Sequence, residues 1–540
     1  VRKYLRFIHG LSNFAKNRMG PDEALALAKV VLKKRIVSRE ENFLTLVEKG
    51  IFNYPLSPYL KLLAPRHIDF NELKTWVRRD GLEKTLETLT CEGVYFSVDE
   101  FKGRVPVARN GITFACNERQ FDNPFLSYAY EVRSGATRSA GTRIRIDFEY
   151  LHQRSLYDAL LLDVHGCLKS PVANWFPVFP GAPGINSSLR FAHIGNTVQR
   201  WFSQVSEDRL NVDWTRKIGT KTIFFISRLY GAPLAEPEYV ELGEPLKVAQ
   251  WVARTLEEHE RCVVYTFAGS AVRVCIAAQE AGLNIRGARF FVTGEPLTPQ
   301  KRFEIESAGA YAVPVYGISE AGVIAAGCAE ADEASDHCHL YKDSTAIIAR
   351  NHAIPHCSLA LDSFLFTTLL YESPKLLLNV GMGDYGKISK EHCKCGFGEL
   401  GFDATLSNIR SYEKLTGEGV TFVETDFLRI IEKELPETFG GTSTDYQLVE
   451  DENERGLTQL RLLVSGRIGE IREHEVLNKF LELMRGAEDR GWAQAGTEMW
   501  KQSGIVRVER SSPIPTASGK ILPFYLHKKH KPNAEELSPR

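Results

Sequence analysis

The sequence has almost no net charge: 67 lysines and arginines face 68 aspartates and glutamates over 540 residues. Without a basic excess there is no long-range field to hold a phosphate backbone, so nucleic acid is not expected as the main partner. Cysteine is sparse for this length. Of ten, Cys91, Cys116, Cys167, Cys262 and Cys275 are scattered, and Cys328, Cys338, Cys357, Cys393 and Cys395 form a late group. That distribution excludes a disulfide scaffold and fits a reducing compartment with room for one metal site. The amino terminus, VRKYLRFIHGLSNFAKNR, has no apolar stretch long enough for a signal peptide, so a cytoplasmic location is expected. No period of 20 to 50 residues repeats, which sets aside solenoids and propellers. The longest uncharged run, 170–189, holds Pro171, Pro177, Pro180 and Pro183 with Gly181 and Gly184. That density of helix breakers excludes a membrane span, and NWFPVFPGAPG reads as a rigid loop bordering a pocket.

Enough apolar sequence is present, 43% of residues, to bury the cores of two or three domains. The first 90 residues or so read as helical: in PDEALALAKVVLKKRI, Ala, Leu and Val recur at three- and four-residue spacing behind Pro21 and two acids. Between 261 and 317 the pattern alternates. RCVVYTFAG reads as a strand, SAVRVCIAAQEAG as a helix, GARFFVTGE as a strand, LTPQKRFEIESAG as a helix and AYAVPVYG as a strand. Short connections between them imply parallel pairing with right-handed crossovers, and ligands of such sheets sit beyond the carboxyl ends of the strands. Gly269, Gly294, Glu295, Tyr316 and Gly317 fall there. After about residue 410, helix FVETDFLRIIEKEL, strands YQLVED and TQLRLLVSG, helix EIREHEVLNKFLELMRG and strand GIVRVERSS form a second unit, with RSYEKLTGEG as linker. The expected class is α/β: a large domain over 1–410, helical over about 1–90, and a small α/β lid over 411–540.

Four segments carry chemistry. Arg133-Ser134-Gly135-Ala136-Thr137-Arg138-Ser139-Ala140-Gly141-Thr142-Arg143 combines flexible backbone amides, hydroxyls and guanidinium groups, a set suited to phosphates or to an ordinary polar turn. It is not a Walker loop, for no Gly-Lys-Ser/Thr closes it. Tyr316-Gly317-Ile318-Ser319-Glu320 offers a ring to stack on a base, a glycine for close approach and a carboxylate for Mg²⁺; a plain strand end with a helix cap at Ser319 is the alternative. Gly381-Met382-Gly383-Asp384-Tyr385-Gly386 spells GxGxxG but runs into KISKEHCKCG, which is loop or strand, so it is not a dinucleotide fingerprint. Its acid is better suited to ribose hydroxyls. Pro515-Thr516-Ala517-Ser518-Gly519-Lys520 presents a lysine from a small-residue turn, placed to bridge a carboxylate and a phosphate as charge moves.

PTASGK, YGISE and GMGD in this arrangement resemble the adenylate-forming acyl-activating enzymes, and within them the phenylacetate–CoA ligase-like branch, over roughly residues 90 to 525. The resemblance implies a large adenylate-forming domain followed by a mobile lid and a two-step reaction. A substrate carboxylate attacks the α-phosphorus of ATP, pyrophosphate leaves, and the acyl-AMP is intercepted by a nucleophile, commonly coenzyme A. It assigns Ser134, Gly135 and Thr137 to the phosphate loop, with Arg138 or Arg143 able to replace contacts that the altered loop loses. Tyr316, Gly317 and Ser319 go to the nucleotide, Glu320 to Mg²⁺, Asp384 to the ribose, and Gly294 and Glu295 to the nucleotide side. Arg410 precedes the hinge pair Glu413 and Lys414, and Lys520 serves adenylation. For Glu295 a helix-start acid is the competing reading.

In the same context Cys328, His339, Cys393 and Cys395 offer three thiolates and an imidazole, a set suited to structural Zn²⁺, with His337, Cys338 and Cys357 competing. Two departures stand out. The phosphate loop carries Arg138, Ala140 and an extra residue before Arg143 where a glycine and then proline or lysine are usual, and the hinge has Glu413 where aspartate is frequent. The expected function is an ATP- and Mg²⁺-dependent ligase for an organic, aromatic acid, with coenzyme A as acceptor; a carrier-protein thiol or an amine is the alternative acceptor. Trp175, Phe179, Phe225 and Tyr265 are candidates for its pocket or for the core. A catalytically degenerate, zinc-stabilised binding protein on the same fold is the rival.

Overall fold

In the computed structural model the described residues are 2–127, 130–133, 142–178, 183–205, 214–231, 233–330, 334–353, 360–411, 414–417, 420–423, 429–441, 445–453, 455, 457–485, 500–514 and 524–526. Among the described residues no strand precedes Val107, and the helices Arg2–Lys16, Pro21–Val37, Arg39–Val47, Phe70–Asp80 and Leu82–Cys91 fill the amino-terminal part, as the periodicity predicts. Pro21–Val37 begins with proline and acids in its first turn and buries Ala24, Ala28 and Leu32, which pack with Leu156, Tyr157 and Leu160 of the helix Phe148–Val164. Small side chains on that face bring the two helices close.

The centre is a twelve-stranded sheet of two characters. Cys262–Phe267, Ala288–Thr293 and Tyr311–Ile318 pair in parallel, alternating with the helices Ala268–Glu280 and Pro299–Ser307. All six residues of Cys262–Phe267 are buried, the signature of a strand covered on both faces. On its other edge that strand pairs in parallel with Val172–Trp175, so the chain order reverses between these two. Asn174 and Trp175, expected in a loop, therefore lie in a central strand, and Pro183 opens the helix Pro183–His193. An apolar run hemmed by prolines is ambiguous between loop and strand until its neighbours are known.

Tyr311–Ile318 is where the sheet changes character. Its first half pairs in parallel with Ala288–Thr293; its second half pairs antiparallel with Gly322–Ala326, with a bulge between Tyr316 and Gly317. Beyond it the sheet continues through Cys338–Leu340, Ala404–Ser411, Val380–Lys390, Ala360–Thr368 and Thr345–Ala353, all antiparallel. The GxGxxG segment sits inside the strand Val380–Lys390, which excludes a helix-opening dinucleotide loop.

A smaller unit follows. Val506–Glu509, Thr458–Val464, Tyr446–Glu452 and Phe524–Leu526 form a four-stranded sheet beside the helix Glu473–Arg485. Of the helix expected over FVETDFLRIIEKEL, Phe422 and Val423 lie instead in a strand and 424–428 lie outside the described residues; a π-turn at Ile430–Glu434 runs into Leu435–Phe439, with Pro436 in its first turn. The linker is also more ordered than expected, for Lys414–Gly417 pairs with Val420–Val423 as a hairpin. Buried side chains run without a break from the parallel sheet to Leu448, Leu462, Trp500 and Val506 of the smaller unit. Among the described residues no helix is long and apolar enough to cross a membrane.

Candidate functional site

The site lies where the sheet changes from parallel to antiparallel. Gly317 is required there by space, because a Cβ would stand 2.7 Å from the Gly322 carbonyl oxygen and 3.0 Å from Val323 Cα. The tight hairpin it permits turns at 319–321, with the Ala321 N–H donating to Ile318 O. Ser319 is exposed in this turn and Glu320 buried. A helix cap at Ser319 is thus replaced by a β-turn.

Tyr316 and Asp384 are 68 residues apart in the chain, yet the Tyr316 hydroxyl donates to Asp384 Oδ2 at 2.8 Å. Burial, and then the neighbouring Asp384 charge, push the Tyr316 hydroxyl well above its usual range, so it remains a donor. Glu320 points to the same end of the sheet. Its Oε1 is 3.2 Å from Lys102 Nζ, which also donates to Thr142 Oγ1, the first described residue after the loop 134–141. Thr142 belongs to the hydroxyl-rich segment 133–143 that the sequence points to, whereas Lys102 was not singled out by sequence reasoning. The signal for Lys102 is the S-x-x-E capping box Ser97–Glu100, which announces a short helix ending at that lysine.

Other nucleotide candidates are held elsewhere. Glu295 follows the strand Ala288–Thr293 and Gly294, and its Oε2 accepts from Lys301 Nζ at 2.9 Å. Both side chains are 1% exposed. Glu295 Oε1 also accepts the Gly269 N–H at 3.4 Å, so it is an acid at a helix start, though of the helix Ala268–Glu280. Lys301 reaches further, to Thr458 Oγ1 of the smaller unit at 3.3 Å. Arg410, across from Tyr385 in the sheet, donates to Asp336 Oδ2 at 2.9 Å, and the Asp336 carboxylate also accepts the Asn408 and Ile409 N–H groups at 2.8 Å. Ser134, Gly135, Thr137, Arg138, Glu413 and Lys520 lie outside the described residues, as do Phe179 and Cys357; Lys414 is described as backbone in its hairpin. Of the aromatic pocket candidates, Trp175 and Tyr265 are core residues and Phe225 is 68% exposed on the helix Trp214–Leu229, where it lines a surface cleft of about 590 Å³ with Ile8, Ile218 and Leu229.

The late cysteines converge. The ligand atoms of Cys328, His339, Cys393 and Cys395 all lie within 4.8 Å of one another. Two thiolates about 2.3 Å from one tetrahedral centre would be about 3.8 Å apart, and a thiolate and an imidazole about 3.6 Å. Cys328 Sγ and Cys393 Sγ are 3.8 Å apart, and Cys395 Sγ is 3.4 Å from His339 Nε2. His339 Nδ1 donates to Phe402 O at 2.8 Å, which leaves Nε2 as the lone-pair nitrogen facing the cluster. Hydrogen bonding between Cys328 and Cys395 separates their thiols, lowering the first and pushing the second up to about 12. The competitors point away: His337 pairs with Glu391 at 2.9 Å, and Cys338 is a buried thiol against Pro314 O. The geometry fits a tetrahedral cation.

A comparison of the sequence with protein-family models finds no match, and neither does one with curated proteins. Solved structures do match. A 2-hydroxyisobutyryl-CoA ligase in complex with its acyl-adenylate and CoA superposes with a TM-score of 0.53 at 13% identity, covering 91% of this chain and 90% of that one. A malonyl-CoA ligase with methylmalonyl-CoA and AMP gives 0.42 at 10% identity, covering 80% and 87%. An o-succinylbenzoate CoA synthetase from Bacillus subtilis gives 0.42 at 11%, covering 73% and 68%. The chain has the fold of the adenylate-forming ligases, with the smaller carboxyl-terminal domain that fold carries.

Proposed function

We propose that the chain is an ATP- and Mg²⁺-dependent ligase that converts an organic acid to its acyl-AMP with release of pyrophosphate and passes the acyl group to coenzyme A. The observation that carries this reading is the Tyr316–Asp384 hydrogen bond, which joins the YGISE and GMGD segments at one end of the sheet beside the buried Glu320. Support comes from the shared fold with a ligase solved holding an acyl-adenylate and CoA. The phenylacetate–CoA ligase-like branch places aromatic acids first among substrates; the burial of Trp175 and Tyr265 in the core gives that preference no help.

Each residue has a role that its chemistry permits. Asp384 keeps acceptor capacity for ribose hydroxyls while Tyr316 occupies one position on Oδ2 and fixes the carboxylate's orientation. Glu320 would hold Mg²⁺, a cation that takes one or two carboxylates and completes its shell with water and substrate phosphates. The ion would neutralise charge on the triphosphate. Lys520 would approach the α-phosphate from the lid as the carboxylate attacks. Cys328, His339, Cys393 and Cys395 would hold a structural Zn²⁺ that ties the strand Cys338–Leu340 to the loop before the helix Gly396–Leu400.

Pyrophosphate exchange into ATP over a panel of carboxylic acids, aromatic ones first, tests the reading. Exchange with at least one acid, and consumption of the adenylate on adding coenzyme A, are expected. No exchange with any acid, together with no thermal stabilisation by ATP, would sink it and leave a binding protein on the ligase fold.

A further inference from the structure

The segment 133–143, RSGATRSAGTR, has three arginines and no lysine. One arginine is committed: Arg143 donates to Glu131 Oε1 at 3.0 Å and to Asp122 Oδ2. A lysine nevertheless reaches this place from 31 residues before the segment begins, for Lys102 Nζ bonds Thr142 and Glu320 together.

Lys102 is aimed with care. It ends the helix Val98–Lys102, whose start is closed by a reciprocal cap: the Ser97 N–H donates to Glu100 Oε2 at 2.8 Å, and the Glu100 N–H to Ser97 Oγ at 3.3 Å. Arg109 pairs with the other oxygen of Glu100. Gly103 stops the helix at φ +74, where a Cβ would stand 2.7 Å from Cys116 O, so this end admits only glycine. Just upstream, the Phe96 N–H donates to Asn379 O at 3.0 Å and the Gly381 N–H to Phe96 O at 2.8 Å. The helix is thereby mounted on the strand that carries Asp384. The ammonium's side chain is 23% exposed and that of its partner Glu320 is 7% exposed.

We propose that Lys102 binds the β- and γ-phosphates of the nucleoside triphosphate, supplying in space the lysine that the loop lacks in sequence; this rests on the adenylate-forming reading above. A compact ammonium on a flexible stem can leave a carboxylate for a phosphate as the polyanion arrives, with Glu320 then turning to the divalent cation. Before that, Lys102 offsets the charge of the buried Glu320 carboxylate. The ligand chemistry is the pyrophosphate moiety, so the residue separates ATP and free pyrophosphate from AMP.

Calorimetric titration of the full chain with ATP, pyrophosphate and AMP in the presence of Mg²⁺ tests this. Lys102→Gln should weaken ATP and pyrophosphate about tenfold or more while AMP stays within about twofold, and Lys102→Arg should regain most of the loss. Equal weakening of ATP and AMP, the mark of a structural role, or unchanged ATP affinity overturns the proposal. On the wild-type chain, acetic anhydride labelling of Lys102 read by peptide mass spectrometry should fall several-fold with MgATP or pyrophosphate and not with AMP. Undiminished labelling under saturating MgATP overturns it even if Lys102→Gln does not fold. A wild-type chain that binds no adenine nucleotide sinks the adenylation reading and this assignment together; bound ATP with an indifferent Lys102 sinks the assignment alone.

Discussion

Removing Lys301 alone should damage this protein more than removing Lys301 and Glu295 together. The two side chains are each 1% exposed and meet at 2.9 Å. At an effective dielectric of about 20, charges at that distance attract by about 6 kcal/mol. Desolvating each ion costs several kcal/mol, so the pair contributes little net stability against apolar side chains of similar size. Lys301→Met takes from the buried Glu295 carboxylate its ammonium partner at 2.9 Å, and should cost about 3–5 kcal/mol. The double variant Lys301→Met, Glu295→Leu should recover most of that. It also separates two roles for Glu295, since a nucleotide contact would make ATP affinity fall in the double variant while stability recovers. Urea denaturation followed by tryptophan fluorescence reads the stability, and calorimetry the nucleotide. A Lys301→Met cost under about 1 kcal/mol, or a double-variant cost equal to the sum of the singles, would refute the buried-pair argument.

Tyr316→Phe removes the donor to Asp384 and should lower pyrophosphate exchange about tenfold or more, since hydrogen bonds to charged groups are worth about 1.5–3 kcal/mol; unchanged exchange would detach Tyr316 from the site. Zinc is expected near one equivalent by elemental analysis, with chelation or Cys395→Ser lowering the melting temperature; less than about one tenth of an equivalent removes the metal proposal. Lys520→Ala should slow adenylation by orders of magnitude while a preformed acyl-adenylate is still consumed, and equal loss in both steps contradicts its role. His193, stacked on Phe14 and bonded to His152 at 2.8 Å, is lowered to about 4 by burial and by its histidine neighbour. Its unfolded form binds a proton from about pH 6.5 downward, so stability should be full above that and fall by up to about 3 kcal/mol as pH drops to about 4. His193→Gln should flatten the slope of a pH series of urea melts over this window.

What the sequence determined by itself was local. The parallel strands and helices between 261 and 317 were legible because each is a continuous apolar run or a three-and-four repeat punctuated by glycine, and Pro21–Val37 because proline and acids open it. The GMGD segment was recognisable as no dinucleotide loop because no helix follows it. Tertiary structure decided whatever depends on residues far apart in the chain. Asn174 and Trp175 became a central strand because Cys262–Phe267 and Arg200–Ser203 flank them. His339 rather than His337 joined the cysteines because His339 lies within the strand Cys338–Leu340, whereas His337 precedes that strand and is held by Glu391. Glu295 met a buried lysine, Arg410 met Asp336, and Lys102 arrived beside Glu320 from another part of the chain. Periodicity records which face of an element is apolar. Which charges share a burial site is set only when the elements pack.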